Sequence, residues 1–399
     1  MSAIVSRIIC LQLLLVVLLV SGAQSQTAED IQLDTGTGVL QGTLLIPEGP
    51  GPFPVVLIIS GSGPTDRDGN SAMLPGKNNS LRQLAVGLAA AKVASVRYDK
   101  RGVAASMMAG LSEKDLRFDH YISDAVLWCR RLQADSRFSS VTVAGHSEGA
   151  QIGVTAAWLA AADGYVSLAG PGRPVFAILR EQLAKNLPMR NRVKAEAVMD
   201  SLEVGKLVAE PPAELMILFR PSVQPYLISW QNHDPQQSIA RYDGPVAIVQ
   251  GATDVQVSLE DAELLAAAQP RARLVIIEGA NHIFKPLATE APIAHQMSLA
   301  DSTTTIDPQV VQIVAEVSAQ AEQYHAAKMK ALEQAREVNS SQLDRKAWPT
   351  VSSGGEVGHW ARYFLSQEKA AYLFGLADGG YAQQGLLVKD TAFDCVSFM

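Results

Sequence analysis

The segment 145–149 (GHSEG) holds the residue best suited to chemistry, because Ser147 stands between two glycines in a G-x-S-x-G pattern. An apolar, strand-like run at 140–144 precedes it, and a helical run of small residues begins at Ala150. A serine on a tight turn from a strand into a helix presents its hydroxyl near the positive end of the helix, where an oxyanion is stabilised. The pattern predicts that Ser147 attacks a carbonyl carbon.

A serine hydroxyl becomes a good nucleophile only when a base accepts its proton. Asp254 follows the strand-like run 245–250, and His282 follows the run 273–277. In proteins whose nucleophile lies in a G-x-S-x-G motif, the acid follows the serine in the chain and the histidine follows the acid, which is the order found here. We therefore predict Asp254 as the acid and His282 as the base. His146 lies beside the serine, and we expect its ring to point away from the hydroxyl.

Two backbone N–H groups are needed to stabilise the oxyanion. Glu148 follows the nucleophile, so its N–H is the first candidate. The loop 61–64 (GSGP) follows the first apolar strand, and its glycines allow a close approach to the substrate. We favour the N–H of Ser62 as the second donor and keep that of Gly63 as an alternative.

The elements that must position these residues alternate between strands and helices. Strand-like and helical runs follow one another over more than 200 residues, which predicts a mostly parallel sheet with helices on both faces. The predicted strands are two within 31–45, then 54–60, 93–98, 140–144, 165–169, 245–250 and 273–277. The predicted helices are 81–91, 120–132, 150–161 and 259–268.

Two segments depart from this alternation. Residues 172–240 are helical and more highly charged, which predicts a helical cap, or a long crossover connection, over the edge of the sheet. Residues 307–318 read as the last helix of the sheet domain, and 319–337 as a further helical run. A Ser- and Gly-rich break precedes an aromatic helix at 360–376, so we expect a small helical appendage of unknown role.

The GHSEG unit, the aspartate and histidine positions, and the segments 61–70 (GSGPTDRDGN) and 98–102 (YDKRG) together resemble a known family. They are similar to secreted bacterial α/β-hydrolases of the serine aminopeptidase-like or short-chain carboxylesterase-like branch. The resemblance covers residues from about 30 to about 320 and implies an α/β-hydrolase fold. With the pattern of elements, it predicts a catalytic core at 26–171 and 241–320, a cap at 172–240 and an extension at 321–399 that lies outside the family pattern.

The resemblance also assigns roles in the loop signature that contains Asp66, Arg67 and Asp68. It implies that Arg67 pairs with a carboxylate and holds the oxyanion loop. Ala104 stands where the family usually has glycine, two residues after YDKRG, and we expect this departure to affect packing rather than chemistry.

The first 25 residues predict a secretory signal peptide. Arg7 precedes an apolar run at 8–20, and small residues follow at 21–25, with cleavage after Ala23 or Ser25. The run is too short to span a bilayer, so we expect a secreted or periplasmic protein without a stable membrane span. Export would permit a disulfide between Cys129 and Cys395, although two buried free thiols is the reading we favour.

Composition and motifs exclude several other classes of protein. The net charge of −7 gives no electrostatic reason to bind nucleic acid. No H-E-x-x-H or paired C-x-x-C motif is present, so the sequence indicates neither a metal nor another cofactor.

Three functions remain open. The first is a short-chain carboxylesterase that works on a small ester through a covalent acyl-enzyme. The second is a serine aminopeptidase or amidase on the same triad, whose cap would bind the ammonium group of a peptide-like substrate through Glu196, Asp200 or Glu203. The third is a non-catalytic binding protein on a hydrolase scaffold.

Overall fold

A computed structural model of the 399-residue chain describes residues 26–342, apart from Pro75, Ala288 and Glu290. The expected signal peptide, the expected helix at 360–376 and Cys395 lie outside these residues. The chain divides into two compact units, Met1–Tyr324 and His325–Met399. The sheet and its predicted site residues lie in the first unit. In the second unit, the structure describes only the final part of one helix.

The strands of the described region form a single sheet. In chain order they are β1 (Thr27–Asp34), β2 (Val39–Ile46), β3 (Phe53–Ile59), β4 (Ala94–Tyr98), β5 (Phe138–His146), β6 (Gly164–Leu168), β7 (Val246–Gly251) and β8 (Arg273–Ile277). Their order across the sheet is β1-β2-β4-β3-β5-β6-β7-β8. The pairs β1–β2 and β2–β4 are antiparallel, and the other pairs are parallel. The prediction of a mostly parallel sheet is confirmed.

The helices fill the intervals between strands. They are α1 (Ser80–Ala90), α2 (Phe118–Gln133), α3 (Glu148–Leu159), α4 (Val175–Asn186), α5 (Met189–Glu203), α6 (Met216–Phe219), α7 (Gln224–Gln231), α8 (Pro235–Ala240), α9 (Leu259–Ala268), α10 (Pro292–Ser298) and α11 (Pro308–Gln342). Short 3-10 turns occupy Ala104–Ala109, Glu113–Asp115 and Ala213–Leu215. None of the helices within 26–342 is long and apolar enough to cross a membrane.

Alternating side chains of β3 explain why the sheet is covered on both faces. Val55 and Leu57 pack in one apolar cluster with α2 and α3, while Val56 and Ile58 pack in the opposite cluster with α1 and α11. Successive side chains of a strand point to opposite faces, so a strand that is apolar throughout must be buried on both. Cys129 of α2 lies in the first cluster, where it is buried and free.

Helices α4 to α8 occupy the interval between β6 and β7, where the sequence predicts the cap. Side chains fasten these helices to the core. The Oγ of Ser229 in α7 accepts a hydrogen bond from the Phe118 N–H at 2.8 Å, and the Trp230 indole donates to Gln151 of α3 at 2.7 Å. Arg173, just before α4, pairs with the buried Asp261 of α9 at 2.7 Å. The boundaries of the cap and the extension stay predictions.

Two elements differ from the prediction. The helical runs predicted at 307–318 and 319–337 form one helix, because α11 runs without interruption from Pro308 to Gln342. No glycine or proline separates the two stretches, and Ala, Gln and Glu favour a helix there. The short helix α10 was not predicted, because seven residues give too little periodicity to recognise.

Three consecutive charged residues after β4, Asp99, Lys100 and Arg101, are buried. Arg101 donates through Nε to Asp124 of α2 at 2.8 Å, and the two side chains are 4% and 1% exposed. Burial raises the pKa of Asp124 and Arg101 opposes that rise, so the carboxylate depends on this guanidinium for compensation. Ala104 adopts a φ of 44°, a left-handed conformation that explains why glycine is usual there.

We expect Arg101→Met to lower the free energy of unfolding by about 3–5 kcal/mol, because it leaves the carboxyl of Asp124 buried without a cation. The double variant Arg101→Met/Asp124→Leu removes both charges and should recover most of that loss. Urea unfolding at pH 7 measures both effects. If the double variant were no more stable than Arg101→Met, the loss of stability would not be caused by the unpaired carboxyl of Asp124.

Candidate active site

The turn that carries Ser147 joins β5 directly to α3. Ser147 has φ 55° and ψ −123°, a strained conformation for a residue other than glycine. A Cβ at Gly145 would lie 2.0 Å from the Gly149 carbonyl oxygen, and one at Gly149 would lie 2.4 Å from that of Ile59. Only glycine fits on either side, so the strand, turn and helix can approach closely enough to present the serine.

Asp254 and His282 meet at the ends of the neighbouring strands β7 and β8. His282 Nδ1 lies 2.7 Å from Asp254 Oδ2, and the side chains are 7% and 1% exposed. Gln250 Nε2 donates to the same carboxylate oxygen at 2.9 Å. The N–H groups of Gln256 and Val257 donate to Oδ1 at 2.7 and 3.1 Å. The structure thus brings the predicted acid and base together.

The electrostatics of this pair favour one tautomer of His282. Burial opposes ionisation of Asp254, but the nearby His282 and the hydrogen bonds from His282, Gln256 and Val257 hold the pKa of Asp254 below its ordinary value. An ionised carboxylate only accepts hydrogen bonds, so Nδ1 of His282 carries the proton. Nε2 then has a free lone pair and can accept a proton.

Asn281 shapes the loop that presents His282. Its side-chain oxygen accepts hydrogen bonds from the N–H groups of Ile283 and Lys285 at 3.1 and 3.0 Å, and its own N–H donates to the Lys285 carbonyl. Its amide nitrogen donates to Ser298 at 2.7 Å. These bonds close a tight turn directly after β8, which fixes the position of the histidine.

His146 has a part in the site that the sequence analysis missed. Its Nε2 donates to the backbone carbonyl of His282 at 2.8 Å, and the two rings are 4.8 Å apart between centroids. The hydrogen bond ties the residue before the nucleophile to the residue predicted as the base. The sequence does show a histidine directly before the serine. It could not show the partner of that histidine, which is a backbone carbonyl more than 100 residues away.

The predicted oxyanion loop lies beside the serine. A Cβ built on Gly61 would lie 3.2 Å from Ser147 Cβ, so the backbone here is close to the nucleophile. Gly63 has φ 70°, which favours glycine, and the Ser62 carbonyl accepts from Thr65 Oγ1 at 2.8 Å. Within the described residues, no acceptor takes up the N–H of Ser62, Gly63 or Glu148.

Arg67 pairs with a carboxylate, as the resemblance implied. It binds Asp99, the residue after β4, with Nη2–Oδ2 at 2.8 Å and its own backbone N–H to Oδ1 at 2.7 Å. Asp68 pairs with Arg97 of β4 at 3.0 Å, and Asp66 accepts the N–H groups of Asp68 and Asn70. The loop after β3 is therefore tied to the end of β4.

A second group of residues near the serine was not predicted. The buried Lys100 donates to the Glu148 carboxylate at 2.5 Å and to the Gly61 carbonyl at 2.6 Å. Tyr226 of α7 donates to the other oxygen of Glu148. The sequence signal was a pair of opposite charges following the apolar strands β4 and β5, but a sequence does not show which charges are paired.

The cap carboxylates considered for an ammonium group already have a partner. Arg180 of α4 contacts Glu196 at 2.8 Å, Asp200 at 2.8 Å and Glu203 at 2.6 Å. All three carboxylates therefore converge on a guanidinium of the same chain. Among residues 26–342, no group of three or more His, Cys, Asp or Glu side chains is arranged to hold a metal ion.

A mostly parallel sheet with Ser147 on a strained turn and a hydrogen-bonded Asp–His pair at the same edge defines a serine hydrolase of the α/β-hydrolase fold. The family model described as serine aminopeptidase, S33, matches residues 77–284, which is more than half of the chain. The chain belongs to this family.

The chain is also similar to individual proteins. Esterase EstD of Thermotoga maritima is 29% identical over 248 residues, which cover 61% of this chain and 58% of that protein. The match therefore spans less than two thirds of that relative. Est1E from Butyrivibrio proteoclasticus with bound ferulic acid has a TM-score of 0.48 at 16% identity, covering 72% of this chain and 99% of that one. An esterase domain from a Rhodothermus marinus protein has a TM-score of 0.44 at 14% identity, covering 74% and 99%.

We expect His146→Gln to flatten the acid dependence of stability. Burial, and then the nearby His282, lowers the pKa of His146 from 6.5 to about 3. The unfolded chain therefore binds a proton near pH 6.5 that the folded protein binds only near pH 3, so stability falls as the pH drops through that window. Between pH 7 and 5 the wild type should lose about 2 kcal/mol more than the variant in urea unfolding.

The glutamine keeps an amide N–H that can donate to the His282 carbonyl, so the comparison isolates the titration. Equal losses for the two proteins over this pH range would show that His146 does not remain neutral on burial.

Proposed function

We propose that the protein is a carboxylesterase that acts through a covalent acyl-enzyme, with Ser147 as nucleophile, His282 as base and Asp254 as the acid that orients it. The observation that carries the proposal is the 2.7 Å hydrogen bond between His282 Nδ1 and Asp254 Oδ2. This bond leaves His282 Nε2 free to take a proton, and His146 ties the backbone of His282 to the turn that carries Ser147.

The first half of the reaction transfers the acyl group to the enzyme. Ser147 Oγ attacks the ester carbonyl carbon while its proton passes to His282 Nε2. The carbonyl oxygen becomes an oxyanion that accepts hydrogen bonds from the N–H groups of Glu148 and Ser62, with Gly63 as the alternative donor. The carbon–oxygen bond of the ester then breaks, and His282 returns the proton to the departing alcohol.

The second half of the reaction releases the acid. A water molecule attacks the acyl-enzyme as His282 takes one of its protons, and the same N–H groups stabilise the second oxyanion. The bond to Ser147 Oγ breaks, and the serine recovers its proton from His282. Asp254 stays ionised throughout, because four hydrogen bonds reach its two oxygens and stabilise the charge.

An ester is favoured over an aminoacyl substrate for a reason found in the cap. The three carboxylates that could bind a substrate ammonium group each contact Arg180. A peptide substrate would have to displace a cation that is already in place. The 29% identity to a protein named as an esterase supports the same choice, and the resemblance to short-chain carboxylesterases suggests a small acyl group. The alternative is an aminopeptidase or amidase on the same triad.

A non-catalytic binding protein is the alternative from a different class. A binding scaffold has no need for a serine in a strained conformation, which costs on the order of 1–3 kcal/mol. Nor does it need a buried carboxylate that orients a histidine. These two features together favour catalysis.

We expect Ser147→Ala to abolish turnover of p-nitrophenyl butyrate while leaving the thermal midpoint close to that of the wild type. Without Oγ no acyl-enzyme forms, so activity should fall by a factor of at least about 100. A fluorophosphonate probe should label the wild type at Ser147 and leave the variant unlabelled. The matched control is Ser123→Ala, because Ser123 lies on the exposed side of α2 and should be replaceable without loss. Residual activity above about one hundredth of the wild type would overturn the assignment of the nucleophile.

Paired substrates separate the ester and amide readings. We expect kcat/KM for p-nitrophenyl esters of short acids to exceed that for aminoacyl p-nitroanilides by at least about 100-fold, since Glu196, Asp200 and Glu203 all contact Arg180. Faster turnover of the anilides would favour the aminopeptidase.

We also propose that the protein is exported to the periplasm or beyond. The support is the sequence alone: Arg7, the apolar run at 8–20 and the small residues at 21–25. The mature protein from a secreting host should begin after Ala23 or Ser25 when its intact mass is measured. An intact leader on a protein retained in the cytoplasm would contradict export.

A further inference from the structure

Lys100 is a buried cation that contacts both sides of the proposed oxyanion hole. It follows β4 and is 1% exposed. Its ammonium donates to the Gly61 carbonyl at 2.6 Å and to the Glu148 carboxylate at 2.5 Å, and it lies 4.9 Å from the centroid of the Tyr121 ring. Gly61 precedes one proposed donor, Ser62, and Glu148 is the other.

The first contact orients the Ser62 N–H. The peptide bond between Gly61 and Ser62 is trans, so its C=O and N–H point in opposite directions from one rigid plane. A hydrogen bond from Lys100 to the carbonyl therefore fixes the direction of the N–H. The same peptide lies beside Ser147, since a Cβ on Gly61 would be 3.2 Å from the serine Cβ.

The second contact concerns the charge on Glu148. A carboxylate on the residue that supplies the other N–H would repel an oxyanion forming nearby, because Coulomb interactions are strong in a poorly solvated site. Lys100 compensates that charge on one oxygen, and Tyr226 donates to the other. Burial, and then Glu148, raises the pKa of Tyr226 well above its ordinary value, so its hydroxyl remains a donor.

We propose that Lys100 is a positioning residue for the oxyanion hole: one ammonium group holds the Gly61–Ser62 peptide and the Glu148 side chain, and so sets both N–H donors relative to Ser147. The inference rests on the proposed function. It goes beyond that function because Lys100 touches neither the substrate nor the reacting atoms, yet sets the geometry that stabilises the transition state.

The test is Lys100→Met, which keeps the length of the side chain and removes the hydrogen bonds. Stabilisation of an oxyanion acts on the transition state, so kcat for p-nitrophenyl butyrate should fall about 10- to 100-fold while KM changes less than about threefold. If Lys100 had only a structural role, its replacement would lower the melting temperature without lowering kcat selectively over KM.

A pair of inhibitors gives an independent readout. A trifluoromethyl ketone forms a tetrahedral adduct with the serine, and the adduct carries an oxyanion, whereas the corresponding methyl ketone binds largely without reacting. We expect Lys100→Met to weaken binding of the trifluoromethyl ketone at least about tenfold and to change binding of the methyl ketone less than about threefold.

Loss of stability is controlled by two further variants. Lys100→Met/Glu148→Gln removes the unpaired buried charge, so it should melt at a higher temperature than Lys100→Met and still show the low kcat. Arg101→Met removes the neighbouring buried cation, which pairs with Asp124 of α2. Because Asp124 lies on α2 and not in the proposed oxyanion hole, kcat should stay within about threefold of the wild type even though stability falls.

The outcomes separate this inference from the proposed function. If the wild type hydrolyses esters in a manner that depends on Ser147, but a cooperatively folded Lys100→Met or the double variant keeps kcat within threefold, the role of Lys100 is wrong. Equal weakening of both ketones would also overturn it, because it would indicate general damage to the site. If the wild type does not hydrolyse esters, it is the proposed function that fails.

Discussion

The close approach of three backbone segments at the end of β5 constrains the rest of the site. Gly149 lies so near β3 that a side chain would collide with the Ile59 carbonyl, and Gly145 lies as near to Gly149. This contact forces Ser147 into a left-handed φ and places it beside the loop that leaves β3 at Gly61. In the strand order β4-β3-β5-β6, the chain builds the sheet outwards in one direction from β3 to β4 and in the other direction from β5 onwards. Open α/β sheets bind ligands at the point where this strand order reverses, which here lies between β3 and β5.

Charged residues at the end of β4 and directly after it each pair with a residue of another segment. Arg97 and Asp99 bind Asp68 and Arg67 of the loop after β3, Lys100 binds Glu148 of α3, and Arg101 binds Asp124 of α2. Buried ion pairs add little net stability over apolar packing, but breaking one by removing a single partner is costly. Such a set therefore does more to fix the relative positions of the oxyanion loop, α3 and α2 than to strengthen the fold as a whole.

The sequence predicts the parts of the site that depend on strand ends and local turns. The positions of Ser147, Asp254 and His282 could each be predicted because a residue after a buried parallel strand lies at a known edge of the sheet. The bonds of Lys100 and His146 could not be predicted, since they join residues far apart in the chain and one partner in each set is a backbone carbonyl. Helix α11 was read as two helical runs because the composition changes at 319, although such a change does not interrupt hydrogen bonding along a helix.

The contact between His146 and His282 bears directly on how the base can work. Two imidazole rings 4.8 Å apart would repel each other if both were charged, and a charged His146 would make His282 a weaker base. Burial lowers the pKa of His146 to about 3, so this ring is neutral around pH 7. On its other side, His282 faces the ionised Asp254, which would stabilise the imidazolium of the proposed reaction. The histidine therefore lies between one neutral and one negative neighbour, an asymmetry that supports its proposed role as the base.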